Sequence, residues 1–231
     1  LTAIYGDEPE ELARKVALCR LALETVRSAY GRDARPFIVH SAGRVNLLGM
    51  HIDHRGGFTN PIAVKEMFLV AEPREDDRVV LRNVESDRYP DAEFSIREEL
   101  PEGGVGNWDA WTQALAAERA RAGRAGHWSD YVKAAVLYLQ HLHTGPGGEF
   151  EPPLRGMNVA VHGGIPPAAG LSSSSGLVVA AAEACAHINA LTMTPMELVD
   201  ACAMAEWYVG TRGGGGDQAA IKFGRLDHIM H

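Results

Sequence analysis

The sequence predicts an α+β protein in which a mixed sheet is packed by helices. After an opening helix, three strand-like segments occupy residues 36–48, 60–71 and 78–84, and most helical patterns follow later in the chain. Strands and helices that are segregated in this way favour α+β over the regular alternation of α/β folds. No internal repeat and no clean linker divides the 231 residues.

Hydrophobic spacing predicts the elements of the first half. Residues 8–30 repeat apolar side chains at helical spacing and stop before Gly31. The strand-like segments are rich in Val and other aliphatic residues, and the charged turn EPREDD separates the second from the third. Residues 126–143 place Trp128 and several aliphatic side chains on one face, which predicts an amphipathic helix.

The second half continues with a loop at residues 145–153, the strand-like GMNVAVHGG and a helix after a Gly/Pro/Ala turn. A further helix is predicted over residues 194–210, because a Thr, a Pro and a Glu stand at the N-cap, first-turn and capping-box positions. Residues 219–224 (AAIKFG) look like a strand, and residues 225–231 look like the start of another. We therefore expect a fragment of a longer protein.

The composition excludes several classes of protein. A formal net charge of −8 without any basic run argues against a nucleic-acid partner. No apolar stretch reaches the ~18 residues of a membrane span, and residues 1–30 hold no signal-peptide core. Three widely spaced cysteines predict buried thiols in a reducing compartment, and the histidines show no metal-ligand spacing. We expect a cytoplasmic protein with no membrane partner.

HGGIPPAAGLSSSSG, residues 162–176, joins a predicted strand to a helix that begins near Ser174. The free N–H groups of a helix start bind anions, small residues let a phosphate approach, and serines add hydroxyl donors and a possible Mg²⁺ ligand. This is not a Walker A loop, because no Gly-Lys-Ser/Thr follows. The alternative is a Ser-capped helix after a flexible turn.

Four glycines precede Asp217 in AEWYVGTRGGGGDQ, residues 205–218. Such a run suits backbone that passes close to a bulky ligand and then presents the Asp, although a plain loop with a solvated Asp is the alternative. Glu206 is either a metal-binding carboxylate or part of the polar face of its helix. A phosphate cradle, a helical carboxylate and an Asp after glycines together point to phosphoryl transfer.

Three segments, in this order, resemble the motifs of GHMP-superfamily kinases, in the galactokinase and N-acetylgalactosamine kinase branch. GRVNLLGMHIDH (residues 43–54) resembles the galactokinase signature G-R-V-N-L-I-G-E-H-x-D-Y, and GGIPPAAGLSSSSG resembles the phosphate loop. EWYVGTRGGGGDQ resembles the glycine-rich segment that ends in the catalytic Asp, and HWSDYVKA resembles the W-x-x-Y-V-K-G helix. The resemblance spans roughly residues 36–231.

The resemblance implies a galactokinase-like sugar 1-kinase that uses ATP and Mg²⁺. Asp217 would be the base or would orient the anomeric hydroxyl, and Arg44 would stabilise charge at the transferring phosphoryl group. Ser174 and Glu206 would bind Mg²⁺. The residues around the ATP phosphates would be Gly170, Leu171, Ser172, Ser173, Ser174 and Ser175. The sugar-binding residues would be Met50, His51, Asp53 and Gly216. The candidates for adenine contacts are Asn83, Trp108 and Trp111, although an aromatic residue is more often part of core or surface packing than a platform for a base.

The implied fold is that of the GHMP kinase N-terminal domain (ribosomal protein S5 domain 2-like), with a left-handed βαβ unit, over residues 1–231. The third superfamily motif, a Gly-rich segment near the C-terminus, is absent from this sequence. We therefore expect the C-terminal GHMP domain outside this chain, and little kinase activity from the chain alone.

Two other functions stay open. One is a non-catalytic galactokinase-like sensor of sugar and ATP, against which the intact Arg44 and Asp217 argue. The other is a mevalonate-pathway member of the superfamily, which would have no use for the sugar-reading H-x-D segment at residues 51–53.

Met50 predicts an altered sugar preference. It stands where the galactokinase signature has a Glu that reaches the C6 hydroxyl, while His54 replaces a Tyr and Gly216 a Met. A thioether is a weak acceptor, so a C6 hydroxyl would lose a charge-assisted bond of roughly 1.5–3 kcal/mol. We expect a pentose or 6-deoxy sugar to be preferred. Comparing kcat/KM of the full-length protein on galactose, 6-deoxygalactose and arabinose tests this, and a clear galactose preference would contradict it.

Overall fold

The computed structural model describes residues 2–31, 35–49, 52, 56–123, 126–144, 153–166, 169–225 and 228–230. In these ranges the strands are β1 Phe37–Leu48, β2 Asn60–Pro73, β3 Arg78–Asn83, β4 Ala92–Ser95 and β5 Met157–Gly163. The helices are α1 Thr2–Tyr5, α2 Pro9–Tyr30, α3 Ile96–Glu99, α4 Trp108–Arg121, α5 Ser129–Leu142, α6 Ser173–Ile188, α7 Pro195–Ala205 and α8 Gly216–Phe223, with a 3-10 turn at Glu206–Val209.

The strands form one mixed sheet in the order β1-β2-β5-β3-β4. β5 runs parallel to β3 and antiparallel to β2, while β1 with β2 and β3 with β4 are antiparallel pairs. Because parallel neighbours need a long crossover, the chain leaves β3 and returns to β5 only after β4 and the helices α3, α4 and α5. The predicted α+β class is confirmed.

Helices pack on both faces of the sheet because alternate strand residues point to opposite sides. On one face α2 contacts β2 and β5, where Ala22, Val26, Val70 and Ala160 form a small buried cluster. On the other face Leu69 and its neighbours join the main core, which α5, α6 and α7 enclose. Both faces of the sheet are therefore largely apolar where helices cover them.

β1 and the start of α6 lie in unusually close contact. Ser41 Oγ donates to Gly176 O at 2.9 Å. A Cβ on Gly176 would lie 2.8 Å from Ala42 O, and a Cβ on Gly43 would lie 2.5 Å from Leu171 O. Only glycine fits at both positions, so the segment that opens α6 lies directly against β1.

A β-bulge in β2 supports the same region. Lys65 takes a φ of 57° there, and Glu66, the next residue, is fully buried. The Glu66 carboxylate pairs with Lys15 of α2, which is 3% exposed. The Gly164 N–H donates to Glu66 O at 2.8 Å. The bulge therefore ties α2 to the point where the chain leaves β5.

Two of the predicted elements are not borne out. The strand at residues 219–224 is wrong, because these residues belong to α8, where Gln218 and Ile221, three positions apart, are buried on one side of the helix. Of the strand at residues 225–231, the described residues form no regular element, although the Met230 N–H donates to Pro61 O at 3.0 Å. The remaining predicted helices and strands are present, with ends that differ by a few residues.

Two of the three cysteines are buried, as the sequence predicted. Cys185 and Cys202 are buried free thiols, and burial raises the pKa of Cys185 to about 12. Cys19 is only half-buried, so the prediction of burial was wrong for this residue.

Within the described ranges, no helix has both the length and the apolar composition needed to cross a membrane.

Gly176→Ala is expected to destabilise the protein, although Ala is intrinsically the better helix former. The added Cβ would lie 2.8 Å from Ala42 O, so α6 would have to move away from β1 at a cost of about 1–3 kcal/mol. Gly106→Ala is the matched control, because a Cβ there meets nothing within 4 Å. Urea unfolding measures the difference, and equal stability of the two variants would contradict the prediction.

Candidate active site

Four elements bring the predicted functional residues together. Arg44 lies on β1, Asp217 in the first turn of α8 and Glu206 directly after α7. The serine loop, defined here as residues 170–175, leads into α6. Arg44 and Asp217 are 173 positions apart in the sequence, so only the fold makes them neighbours.

Arg44 and Asp217 form a two-pronged ion pair. Arg44 Nε donates to Asp217 Oδ1 and Arg44 Nη2 donates to Oδ2, both at 2.6 Å. The exposed fractions of the Arg and Asp side chains are 14% and 31%. Such a bidentate pair is a strong charge-assisted contact that fixes the carboxylate plane. Asp217 is therefore held in one orientation, and the alternative of a freely solvated Asp does not apply.

The serine loop folds back onto this pair. Arg44 Nη1 donates to Gly170 O at 2.8 Å, and the Arg44 N–H donates to Leu171 O at 3.0 Å. Ser172 Oγ donates to Asp217 Oδ2 at 2.5 Å. Three consecutive loop residues thus contact the Arg44–Asp217 pair.

The N-terminus of α6 is suited to an anion. Ser172 is the N-cap residue in a left-handed conformation, with φ 53° and ψ 43°, and no side chain caps the helix. The amides of the first turn therefore keep their free N–H groups, and the dipole of this 16-residue helix adds positive potential. These are the features of a phosphate site. The alternative of a Ser-capped helix is not what the loop forms.

Glu206 is a buried carboxylate with an unused oxygen. It is 5% exposed and lies beside the polar side chains of Ser175 and Gln218. In the described part of the chain, Glu206 Oε1 and Gln218 Oε1 have no hydrogen-bond partner. Burial raises the pKa of Glu206 and Asp217 adds to the increase, while Ser175, Gln218 and Arg44 oppose it. Because an unpaired buried carboxylate is costly, this position favours a bound cation.

A magnesium ion fits this donor set. Mg²⁺ prefers oxygen ligands and is typically held by one or two carboxylates together with substrate phosphates. Among the described residues, no group of three or more His, Cys, Asp or Glu side chains forms a metal cage. The hydroxyl that contacts Glu206 belongs to Ser175, whereas Ser174 lines the larger of two neighbouring cavities.

Two cavities flank the serine loop. The smaller, of about 200 Å³, is lined by Arg44, Glu206 and Asp217 among others. The larger, of about 630 Å³, begins at Ser173 and Ser174 and extends along the ends of β3 and β5. The serine loop therefore separates a small polar cavity beside the ion pair from a larger one.

Two protein-family models match separate parts of the chain. Residues 130–225 match the N-terminal domain of GHMP kinases, and residues 26–72 match the galactose-binding signature of galactokinases. The first match contains the serine loop and Asp217, and the second contains Arg44. The chain belongs to the GHMP kinases, in the galactokinase branch.

Relatives of this GHMP kinase chain are galactokinases. One from Roseiflexus sp. (strain RS-1) is 32% identical over 84% of this chain and 42% of that protein. One from Saccharomyces cerevisiae is 30% identical over 98% of this chain and 41% of that protein. The crystal structure of Lactococcus lactis galactokinase complexed with galactose matches with a TM-score of 0.68 at 25% identity, over 89% of this chain and 46% of that chain. The chain spans 39–42% of the length of the first matched galactokinases.

The sugar-binding residues predicted for this GHMP kinase are only partly described. Gly216 begins α8 and lines the smaller cavity. Sequence reasoning missed Asn46, which lines the same cavity. Strand alternation was the available signal, because Asn46 lies two residues after Arg44 and shares its face of β1. Outside the described residues lie Met50, His51, Asp53 and His54.

The residues predicted to contact adenine differ in location, because one lines the larger cavity and two pack in or against the core. Asn83 lines the larger cavity. Trp108 is 4% exposed and donates from Nε1 to Met204 O, so it belongs to the core, and the half-buried Trp111 packs against it. Trp128 lines the cavity instead, although its sequence position indicated only the apolar face of a helix. The resemblance of HWSDYVKA to a galactokinase helix was a signal that could have identified it.

Proposed function

We propose that the protein containing this chain is an ATP-dependent sugar 1-kinase, which transfers the γ-phosphate of ATP to the anomeric hydroxyl of galactose or a related sugar. One observation carries the proposal: the Arg44–Asp217 pair contacts the serine loop at the start of α6. A phosphate site and a carboxylate that can orient an acceptor hydroxyl then lie side by side. The galactose-binding signature and the matched galactokinases support a sugar as the acceptor.

Asp217 would hold the acceptor. Phosphoryl transfer passes through a loose transition state, so the protein contributes mainly positioning and charge stabilisation. Arg44 holds the Asp217 carboxylate in a fixed plane at the edge of the smaller cavity. A hydroxyl that donates to this carboxylate is aligned for attack. Asp217 takes its proton as the new P–O bond forms, while the bond from the γ-phosphorus to the bridging oxygen breaks and ADP leaves.

Arg44 would also stabilise the transferring group. Its Nη1 already reaches the carbonyl of Gly170 in the serine loop, so its positive charge lies at the border between acceptor and phosphate sites. Charge that spreads over the phosphoryl oxygens in the transition state is stabilised by such a preorganised cation.

ATP would span the serine loop and the larger cavity. The free N–H groups of the α6 start face the phosphates, together with the hydroxyls of Ser173 and Ser174, which line that cavity. The nucleoside would occupy the part of the cavity lined by Asn83 and Trp128. A volume of about 630 Å³ lies within the usual range for small-molecule sites.

Glu206 would hold Mg²⁺ with the ATP phosphates, and Ser174, which lines the larger cavity, stays the second predicted ligand. The unused Glu206 Oε1 supports this assignment, since a cation would compensate the buried charge. When bound, the ion would neutralise phosphate charge during the transfer.

The sugar would be bound by Gly216 and by the predicted residues of the GRVNLLGMHIDH motif, residues 43–54. Gly216 lines the smaller cavity, and the motif residues continue from β1, which carries Arg44. The match to the galactose-binding signature over residues 26–72 favours this sugar reading over a mevalonate-type substrate. The predicted residues are Met50, His51 and Asp53.

An enzyme is favoured over a non-catalytic sensor by the geometry of the ion pair. A sensor needs only to bind sugar and ATP. The two hydrogen bonds from Arg44 to Asp217 also hold the positive guanidinium beside the proposed path of the transferring phosphoryl group, which binding alone would not require. We propose a cytoplasmic location, where ATP is plentiful and the three free cysteines stay reduced. Its partners would be the sugar and ATP, without nucleic acid or membrane.

Asp217→Asn in the full-length protein is expected to lower kcat by about a hundredfold to ten-thousandfold, because the amide cannot take the proton. ATP and sugar binding should persist, since Asn keeps the size and one acceptor oxygen. Asp200→Asn, at an exposed position of α7, is the matched control. Sugar phosphorylation assays and calorimetric titration measure the two effects, and full turnover by Asp217→Asn would refute the role.

Glu206→Gln is expected to raise the Mg²⁺ concentration needed for half-maximal activity by roughly tenfold or more, because a neutral amide binds Mg²⁺ poorly. Glu102→Gln, on an exposed turn, serves as the control. An unchanged Mg²⁺ dependence of the Glu206 variant would remove Glu206 from the metal site.

A further inference from the structure

Ser172 differs from the other serines of the serine loop in what its hydroxyl contacts. Its Oγ donates to Asp217 Oδ2 at 2.5 Å, while Ser173 and Ser174 line the larger cavity and Ser175 contacts Glu206. One hydroxyl of the loop is therefore directed at the acceptor-orienting carboxylate and away from the nucleotide side.

The backbone of Ser172 is also unusual. Its φ of 53° and ψ of 43° are left-handed, a conformation that glycine adopts freely and other residues adopt at a cost. Gly170, two residues earlier, has a φ of 70°. A serine at a position that suits glycine is consistent with a role for the hydroxyl itself, since residues held in strained conformations cluster at functional sites.

We propose that Ser172 is a positioning residue for Asp217 rather than a ligand of the ATP phosphates. A serine hydroxyl has a single hydrogen to donate. Phosphate oxygens accept hydrogen bonds, so a hydroxyl that donates to Asp217 has no hydrogen left for a phosphate. Ser172 can offer a phosphate only its backbone N–H. The inference rests on the proposed kinase function and deepens it.

The number of hydrogen bonds that each Asp217 oxygen accepts also distinguishes the roles of the two oxygens. An ionised carboxylate offers about four acceptor positions, two on each oxygen. Among the residues that the structure describes, Oδ2 accepts from Arg44 Nη2 and Ser172 Oγ, and Oδ1 accepts from Arg44 Nε alone. The free position lies on Oδ1, which is therefore the oxygen that receives the sugar's anomeric hydroxyl.

The test compares Ser172→Ala and Ser173→Ala in the full-length protein. Ser172→Ala should lower kcat about tenfold to a hundredfold, because it removes a charge-assisted hydrogen bond from Asp217, and should leave KM for ATP within about twofold. Ser173→Ala should instead raise KM for ATP with a smaller change in kcat. A rise in KM for ATP with unchanged kcat in Ser172→Ala would overturn the proposal and make Ser172 a phosphate ligand.

Ser172→Gly separates the hydroxyl from the backbone. Glycine relieves the left-handed strain, so this variant should have a higher Tm than Ser172→Ala but the same loss of kcat. Recovery of kcat in the glycine variant would show that the hydroxyl is dispensable and would contradict the proposal.

A crystal structure of Ser172→Ala separates this proposal from the kinase function. We expect the Asp217 carboxylate to rotate or to occupy two rotamers while the serine loop keeps its course. An Asp217 carboxylate unchanged on Arg44 would overturn the positioning role, whether or not the protein phosphorylates a sugar. Wild-type protein that phosphorylates no sugar would refute the kinase function alone.

Discussion

The close packing of β1 against the serine loop is the constraint on which the candidate site depends. Gly43 and Gly176 leave no room for a side chain at the two contact points. Because Arg44 directly follows Gly43, the same contact places its guanidinium against Gly170 O and Asp217. The phosphate site and the ion pair are thus held by one interface, and they cannot move independently.

Buried charge supports this interface from both sides. On the α2 side, Glu66 and Lys15 pair within the sheet–helix contact, and the main chain of Glu66 holds Gly164 at the end of β5. Loss of one partner of such a pair typically costs about 3–5 kcal/mol, so α2 is firmly coupled to the bulge. On the α7 side, Glu206 is buried with an unused oxygen. The first charge is compensated within the protein, whereas the second favours a ligand.

Local chemistry explains which features were predictable. Hydrophobic spacing indicated α2, β1 and α5, and the capping box of α7 is present as predicted. AAIKFG failed as a strand because a segment of six mostly apolar residues has no decisive period, and the packing of Ile221 against the core selected a helix. The roles of the four consecutive serines were equally hidden, since Ser172 contacts Asp217, Ser173 and Ser174 line the larger cavity, and Ser175 lies beside Glu206.

The sequence by itself indicated most of the elements from α2 to α7 but not β4, α3 or α4, together with the need for small residues around the serine loop and the three ordered motifs that indicate a GHMP kinase. These follow from short-range spacing and from residue chemistry, which need no knowledge of distant neighbours. Only the tertiary structure decided that Arg44 donates to both oxygens of Asp217 and that Ser172 donates to one of them. It also decided that Trp128 rather than Trp108 lines the larger cavity. The physical reason is that contacts across 173 positions depend on how helices and strands pack, and a linear pattern does not contain side-chain direction.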